Sequence, residues 1–336
     1  MSNRKFLTKL QDAILFAVTI MLLLVPKLVY AAQGPLKASN AHPIIRLFLN
    51  PVLETPEVLD RGSALGSASF DYGSVCIVSA SDKWDINMDM EFTILTLSLK
   101  MGLPWQAEGA ISFPFLYYQR GFLDPFVNWF HSRLGVSDIG RERSPTNDYS
   151  YRIRKHGNTW FRPGNKESVG PGDGVISLKK CLFDNSDNVL SIKGALKAPT
   201  GDPELGLGSG EFDAGIMLLF EHGFDTWRFY LGVGYEWLGT PDTYDDFDPD
   251  ISDTKSASFA LEYIWSDNLS LLTQVEARSS PFTDTDISNL DRDFFGISFG
   301  GKYRLSNTTG IEFAFSEDLS EAAADFTVHV GIVFSF

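Results

Sequence analysis

Charged side chains recur at every second position along several stretches of this 336-residue chain, opposite runs of apolar side chains. Six are basic and six are acidic. Groups at this spacing lie on one face of a strand, where they either line a water-filled channel or pair in a closed polar core. The residues alone leave both alternatives open. The set comprises Lys179, Lys193, Lys197, Asp213, Glu221, Arg228, Glu236, Glu262, Glu276, Arg278, Lys302 and Glu312, with His329 on the same face of the last strand.

Hydrolysis would need a nucleophile or activated water, a base and an orienting group. The chain has five histidines, none of them in a serine motif such as Gly-x-Ser-x-Gly: His42, His131, His156, His222 and His329. His329 could meet a serine on a neighbouring strand, but a polar residue of a barrel interior is the preferred interpretation. We assign no catalytic residue, and enzymatic activity stays uncertain, with a non-enzymatic role preferred.

Two loops resemble ligand-binding motifs without matching them. Gly206–Gly210 is glycine-rich like a nucleotide loop, but Glu211 stands where a third glycine is required. Asp246–Asp250 resembles the start of a calcium loop, but Ile251 replaces the needed glycine and Ala257 the bidentate glutamate. We therefore predict no cofactor and no metal site, and expect a solvated acidic loop.

The last stretch of the chain shows most clearly which elements carry these side chains. It alternates strictly, with apolar residues on one parity: Phe326, Val328, Val330, Ile332, Phe334 and Phe336. A period of two predicts a strand with one apolar face. The chain ends on an aromatic residue in mid-pattern, which resembles the closing strand of a bacterial outer-membrane β-barrel.

The same alternation repeats from residue 62 onward, and short turns alternate with long loops. Trp227–Trp237 carries aromatic residues near both ends, as in the girdles at membrane interfaces. The pattern predicts an all-β fold, a transmembrane antiparallel outer-membrane barrel of about 12–14 strands. A parity change at Ile94–Leu95 predicts a bulge. A periplasmic turn at Pro104 requires one extra strand, for which Thr159–Arg162 is the candidate.

Phe122–Leu134 breaks the period of two. Asp124 can cap a helix that has Pro125 at its first position, and the aromatic residues that follow recur at helical spacing. We predict a short amphipathic helix in a long loop. It would serve as a lid, a constriction or an interfacial anchor, or it packs against the barrel wall.

Three regions follow from this pattern. Residues 1–31 have a basic start, an apolar run and a small residue at Ala31, which predicts a secretory signal peptide. Residues 32–61 are a Pro-rich leader or plug: the segment either enters the barrel from the periplasmic side or packs on the rim, and we prefer the rim. Residues 62–336 are the barrel.

The composition narrows the function classes. Hydrophobic residues make up 44% and charged residues 21%, so the chain is neither disordered nor a helical membrane protein. A formal net charge of −15 argues against nucleic-acid binding and would favour cations in a pore. Cys76 and Cys181 could pair in an oxidising periplasm, but the sequence does not give their separation.

Two further stretches resemble one bacterial outer-membrane family that is known only as a domain of unknown function. The first is Gly121–Asp124 with His131 and Arg141–Arg143; the second is Gly172–Gly174 with Leu196–Gly201 and Gly208–Asp213. The resemblance implies a barrel without an established activity. The Lys-x-Pro-Thr-Gly loop also resembles barrels that transport hydrophobic compounds.

We therefore expect a passive or gated channel for small solutes, hydrophobic ones included, in the outer membrane of a Gram-negative bacterium. A barrel hydrolase and a structural or adhesive barrel without a pore are the alternatives. The expected partners are outer-membrane lipid, a small-molecule solute and the barrel-assembly machinery. By resemblance, that machinery would read Phe336 as an assembly signal.

Overall fold

The computed structural model describes residues 33–123, 147–162, 167–185, 187–320 and 326–336, together with residues 125, 322 and 324. The predicted signal peptide, most of the predicted helix Phe122–Leu134, and His131 lie outside the described residues. Within the described part, no helix has the length and apolar character needed to span a membrane, a test that does not bear on β-barrels.

Twelve antiparallel strands form a closed barrel, because the first strand pairs with both the second and the last. The described residues contain 15 strands in all. They are β1 Ala64–Ala80, β2 Trp84–Leu103, β3 Ala107–Gln119, β4 Ser150–Lys155, β5 Asn158–Thr159, β6 Ser168–Pro171, β7 Gly174–Asp184, β8 Asn188–Ala198, β9 Asp213–Phe224, β10 Trp227–Trp237, β11 Thr254–Ile264, β12 Leu269–Arg278, β13 Phe294–Arg304, β14 Thr309–Asp318 and β15 Phe326–Ser335.

Three of these strands do not belong to the closed ring. β3 pairs directly with β7, while β4 pairs with the first part of β2 and with the short β5, and β6 pairs only with the last part of β3. The prediction that Thr159–Arg162 supplies an extra crossing strand is therefore wrong. That prediction counted the segment of β4 as a full crossing, whereas β4 extends the sheet at the long-loop end.

One face of the barrel strands is apolar and exposed, and the other is buried. Side chains on the outer face include Leu97, Phe113, Leu231 and Phe313, which are 54, 41, 44 and 54% exposed. Such a belt is stable against hydrocarbon and costly against water, so it fits a lipid-facing wall. The protein is accordingly an outer-membrane β-barrel.

β2 reverses which of its faces is apolar. Ile86, Met88, Met90, Phe92 and Ile94 point inward and are fully buried. From Leu95 to Met101 the apolar side chains point outward instead. The pairing of β2 with β1 and with β3 runs through this point without a register shift, so the predicted bulge at Ile94–Leu95 is wrong. The first part of β2 extends beyond the lipid belt and packs against loops inside.

The connections are short at one end of the barrel and mostly long at the other. Short turns follow β2, β7, β9, β11 and β13, and the chain ends beside them. The long connections follow β3, β8, β10 and β12 at the opposite end. In outer-membrane barrels short turns are periplasmic and long loops extracellular, which gives the orientation used below.

Residues 33–63 lie inside the barrel, not on its rim. The backbone of Gln33 donates to Glu262 on β11 and that of Leu49 to Asp213 on β9, while the backbone of Leu59 donates to Glu108 on β3. The segment rises from the short-turn end, turns near the 3-10 helix Ile45–Leu47, and descends again. We refer to residues 33–63 as the lumen segment.

The lumen segment leaves the barrel at Gly102, where the chain approaches the wall closely. Gly62 donates its backbone N–H to the Gly102 carbonyl, and Gly102 donates to the Ser63 carbonyl. A Cβ atom at position 102 would overlap the backbone of Asp60. Only glycine allows this contact, which directs the chain from the interior into β1.

An apolar cluster closes the long-loop end from inside. Trp84 and Trp160 each contact Phe247 and Phe282 there, with ring centroids 5.0–6.2 Å apart. The inward residues of β2, the β4–β5 hairpin, the loops after β10 and β12, and the turn of the lumen segment all contribute to it. The one-turn helix Ser288–Asp291 lies in the loop after β12.

Candidate functional site

The structure places the charged residues of the predicted set on the face opposite the exposed apolar belt. Lys193, Arg228 and Glu276 are partly buried there. The other nine, with His329, are buried: Lys179, Lys197, Asp213, Glu221, Glu236, Glu262, Arg278, Lys302 and Glu312. Many of them contact the lumen segment.

The centre of these contacts is Glu54 of the lumen segment. Its carboxylate pairs with Lys100 on β2, lies 2.9 Å from the Lys193 ammonium on β8, and lies 3.9 Å from that of Lys179 on β7. Glu108 on β3 shares the cluster, 3.2 Å from both Lys100 and Lys179. Three lysines and two glutamates therefore meet, and one glutamate belongs to the lumen segment. We call Lys100, Lys179 and Lys193 the lysine cradle.

A second cluster holds the rising part of the lumen segment. Lys302 on β13 lies 3.1 Å from Glu312 on β14 and donates to the Gln33 carbonyl at 3.2 Å. His329 on β15 lies 2.6 Å from Asp71 on β1 and 3.4 Å from Glu312. His329 thus contacts carboxylates on both sides.

A third cluster holds the turn of the segment near the long-loop end. Arg278 on β12 lies 3.3 Å from Glu236 on β10 and donates to the Asn50 side chain at 2.5 Å and to the Leu49 carbonyl. The Leu49 backbone donates to Asp213 at 2.7 Å. Side chains from β9 and β12, which are three positions apart in the ring of strands, therefore hold Leu49, and Arg278 also holds Asn50.

A cavity of about 570 Å³ remains between the lumen segment and the wall of the barrel. Small polar side chains of β1, β2 and β3 line it, together with Lys100, Lys193, Glu54 and Glu108. It extends from the turn after β13 at the short-turn end to Leu116, which belongs to the apolar cluster at the other end. The cavity thus follows most of the length of the barrel.

Burial and charge act in opposite directions on the ionisable groups of the lumen segment. Burial by itself would raise the pKa of the Glu54 carboxyl, but Lys100, Lys193 and Lys179 lower this pKa well below its usual value. Burial lowers the pKa of the Lys37 ammonium to about 8, although Glu312 acts against it. Glu54 is therefore an anion at neutral pH while the segment lies in the barrel.

Sequence reasoning missed several residues of these clusters: Glu54, Asp71, Lys100 and Glu108. Lys100 and Glu108 stand on the polar parity of strands whose alternation is clear, so the parity rule could have found both. Asp71 lies in a Ser/Gly-rich stretch without apolar alternation. Glu54 lies in an irregular segment, where no sequence signal marks its direction.

The four described histidines show no contact of the kind that activates a serine. His222 contacts the Asn188 side chain at 2.9 Å, and His156 lies in the β4–β5 turn with φ of 51°. Burial lowers the pKa of His42 to about 3, so this histidine is neutral. His329 contacts Asp71 and Glu312, as described above.

Structural contacts account for the two motif-like loops. Asp173 accepts hydrogen bonds from the backbones of Thr200, Gly201 and Ser209, and Lys197 lies 2.8 Å from it. In the acidic loop after β10, Phe247 is buried in the apolar cluster. Among the described residues, no group of three or more His, Cys, Asp or Glu side chains could hold a metal ion.

Cys76 and Cys181 are not bonded to each other. Cys76 is opposite Asp89 towards the long-loop end of β1, whereas Cys181 is near the short turn after β7. The height of the barrel therefore separates the two side chains.

Comparison with known proteins places the chain in a family. Residues 14–336 match the family described as "Protein of unknown function (DUF3187)", so the chain belongs to this family. No curated protein matches it.

Several solved structures resemble the barrel. An outer membrane channel from Pseudomonas putida F1 is 13% identical with a TM-score of 0.56, over 83% of this chain and 97% of that one. The NanC porin is 7% identical with a TM-score of 0.46, over 80% of this chain and 98% of the porin. At this identity, the similarity to the Pseudomonas channel supports the fold alone.

Proposed function

We propose that this member of the DUF3187 family is a gated outer-membrane channel for small solutes, and that the lumen segment closes it. The observation that carries the proposal is the cavity of about 570 Å³ beside that segment. The barrel wall bounds this cavity on one side and the lumen segment on the other. Movement of the segment would therefore widen the cavity into a pore.

The contacts of the segment favour such movement. Ion pairs and hydrogen bonds hold its descending part, as at Glu54, at Thr55, whose carbonyl accepts from Lys179, and at Leu59. Water can replace hydrogen bonds of this part at a small net cost, whereas the turn of the segment packs in the apolar cluster and resists separation. The descending part ends at the short-turn end, so it can move towards the periplasm while the turn stays in the apolar cluster.

The lining favours small polar solutes over the hydrophobic ones that the sequence also allowed. Ser67, Ser69, Thr96, Ser98 and Ser112 line the wall of the cavity. These hydroxyl groups can replace the hydrogen bonds that a polar solute loses when it leaves water. A closed structural barrel without a pore remains the competing function.

Conductance in planar bilayers tests the proposal. Glu54→Gln removes the charge that three lysines hold, so the variant should open more often than wild type. Glu57→Gln is the matched control: it lies on the same segment, is exposed, and forms no ion pair among the described residues. Heat-modifiable gel migration should show equal folding of all three proteins.

The expected result is a rise in mean conductance for Glu54→Gln and none for Glu57→Gln. Liposome swelling with small polar solutes should follow the same order. Equal and negligible conductance of all three folded proteins would overturn the gated-channel proposal and favour the structural barrel.

A further inference from the structure

We propose that the lysine cradle binds the carboxylate group of a small anionic solute, and that Glu54 occupies the same position while the channel is closed. This inference rests on the proposed function and specifies the class of solute. It concerns Lys100, Lys179 and Lys193, which come from three different strands and approach one carboxylate.

The first argument is the register of the strands. Lys179 on β7 and Lys193 on β8 are direct cross-strand partners, and both point inward. Like charges in this arrangement repel each other and destabilise the pair. A carboxylate between them removes the repulsion, and Glu54 supplies it. The barrel wall therefore contains a position that requires an anion.

The second argument is the charge balance when Glu54 leaves. Three lysines and two glutamates give the cluster a net charge of +1, and without Glu54 the net charge is +2. Glu108 alone cannot balance three ammonium groups, of which Lys179 is almost fully buried. Unpaired buried charges are unstable, so opening is favoured when another anion enters.

The third argument is access. The cavity that opens towards the short-turn end is lined by Lys100 and Lys193, so a solute in the cavity reaches the cradle directly. Its volume of about 570 Å³ lies within the usual range for small-molecule sites. Outside the lumen segment, the residues that line the cavity include five basic and four acidic side chains, which contrasts with the acidic chain as a whole.

A solute carboxylate and Glu54 therefore compete for one position. A ligand that binds the open arrangement and not the closed one shifts the equilibrium towards opening. Small carboxylates should thus promote their own passage, while neutral and cationic solutes of equal size should not. The channel should prefer anions, contrary to the cation preference that the net charge predicts.

Succinate tests this inference, with neutral succinamide as the control of similar shape. In wild type, succinate should raise the open probability and succinamide should not. In Glu54→Gln, the reversal potential in a KCl gradient should show anion preference, and succinate should reduce the chloride current. Calorimetric titration of the folded variant with succinate measures binding without requiring conductance.

The double variant Glu54→Gln/Lys193→Met removes one cradle lysine together with Glu54, so the cluster keeps the net charge of +1 that it has in wild type, with Lys100 and Lys179 beside Glu108. Its apparent affinity for succinate should fall by about tenfold or more relative to Glu54→Gln, because one charged hydrogen bond is lost. Arg304→Met in the Glu54→Gln background is the control, since Arg304 also lines the cavity but lies outside the cradle.

The outcomes separate the two proposals. Conductance by Glu54→Gln without anion preference or succinate binding would overturn the carboxylate site and leave the channel. Succinate binding that depends on Lys193, without conductance, would support the site and overturn the channel. The absence of both, in folded protein, would overturn both.

Discussion

Lys179 and Lys193 stand directly opposite each other on β7 and β8, and the carboxylate of Glu54 lies between 2.9 and 3.9 Å from their ammonium groups. A residue about 130 positions earlier in the chain thus stabilises a like-charge pair in the barrel wall. This relationship couples the position of the lumen segment to the electrostatics of the interior.

The first prediction concerns pH. The lysine cradle lowers the pKa of Glu54 in the docked segment, whereas a released segment would have the ordinary value near 4.5. The ionised carboxylate therefore stabilises docking fully above pH 4.5, and this contribution is lost as the pH falls through the lower value of the docked state. Wild-type conductance should stay low at pH 5 and rise only well below pH 4.5.

Glu54→Gln is the control for this experiment, because other carboxylates also titrate in acid. Its conductance should be high at neutral pH and should lack the acid-dependent step that wild type shows. Parallel pH profiles of the two proteins would contradict the assignment of Glu54 as the group that holds the segment.

The second prediction concerns the lipid belt. Ala68 and Ala80 point outward on the same strand, but Ala68 pairs with Leu97 and Ile332 inside the belt, whereas Ala80 lies at the long-loop end. A lysine facing mid-membrane lipid costs about 2–4 kcal/mol, and one near the interface about 0–1 kcal/mol. Ala68→Lys should therefore lower the urea midpoint of unfolding far more than Ala80→Lys. Equal urea midpoints of the two variants would contradict the position of the lipid belt around Ala68.

The third prediction concerns the loop after β8. Asp173 and Lys197 form a buried pair, and breaking such a pair costs about 3 kcal/mol; Lys197 would keep only its longer contact with Asp213, at 3.4 Å. Asp173→Asn should destabilise the barrel by that order. Glu204→Gln, which breaks an exposed pair with Arg162, should cost about 0–1 kcal/mol. Urea unfolding in detergent micelles measures both, and a larger effect of Glu204→Gln would refute the argument.

The fourth prediction concerns assembly. Phe336 is 78% exposed on the lipid side and pairs with Ala64 through its backbone, which helps to close the barrel. Burial of its ring in lipid contributes about 1.5–3 kcal/mol. We propose that the assembly machinery also reads this residue, so its deletion should reduce folded barrel in cells more than refolding in vitro would predict. Heat-modifiable migration measures both yields.

Ser335→Ala is the matched control, since Ser335 lies on the inward face of the same strand end and should have little effect. If the Phe336 deletion lowers the yield equally in cells and in vitro, the residue acts through burial alone. Equal yields of the deletion and wild type would remove both roles.

The sequence by itself determined the fold class, because strand periodicity is a local property. Apolar alternation along β7, β8 and β14 shows which side faces lipid, and the opposite parity then contains Lys179, Lys193 and Glu312. Alternation was weak in β1, whose lipid-facing half is rich in Ser, Ala and Gly. The first part of β2 extends beyond the lipid belt, so its apolar side chains pack inside the barrel and the usual direction of the apolar face no longer holds.

Only the tertiary structure decided which charges meet. Glu54 is in an irregular segment, and irregular backbone has no period from which the direction of a side chain can be read. Its three lysine partners come from β2, β7 and β8, and the order of strands that places them together depends on β3 pairing with β7 across a long loop. The sequence left open whether the interior charges line a channel or pair, because that depends on where residues 33–63 lie.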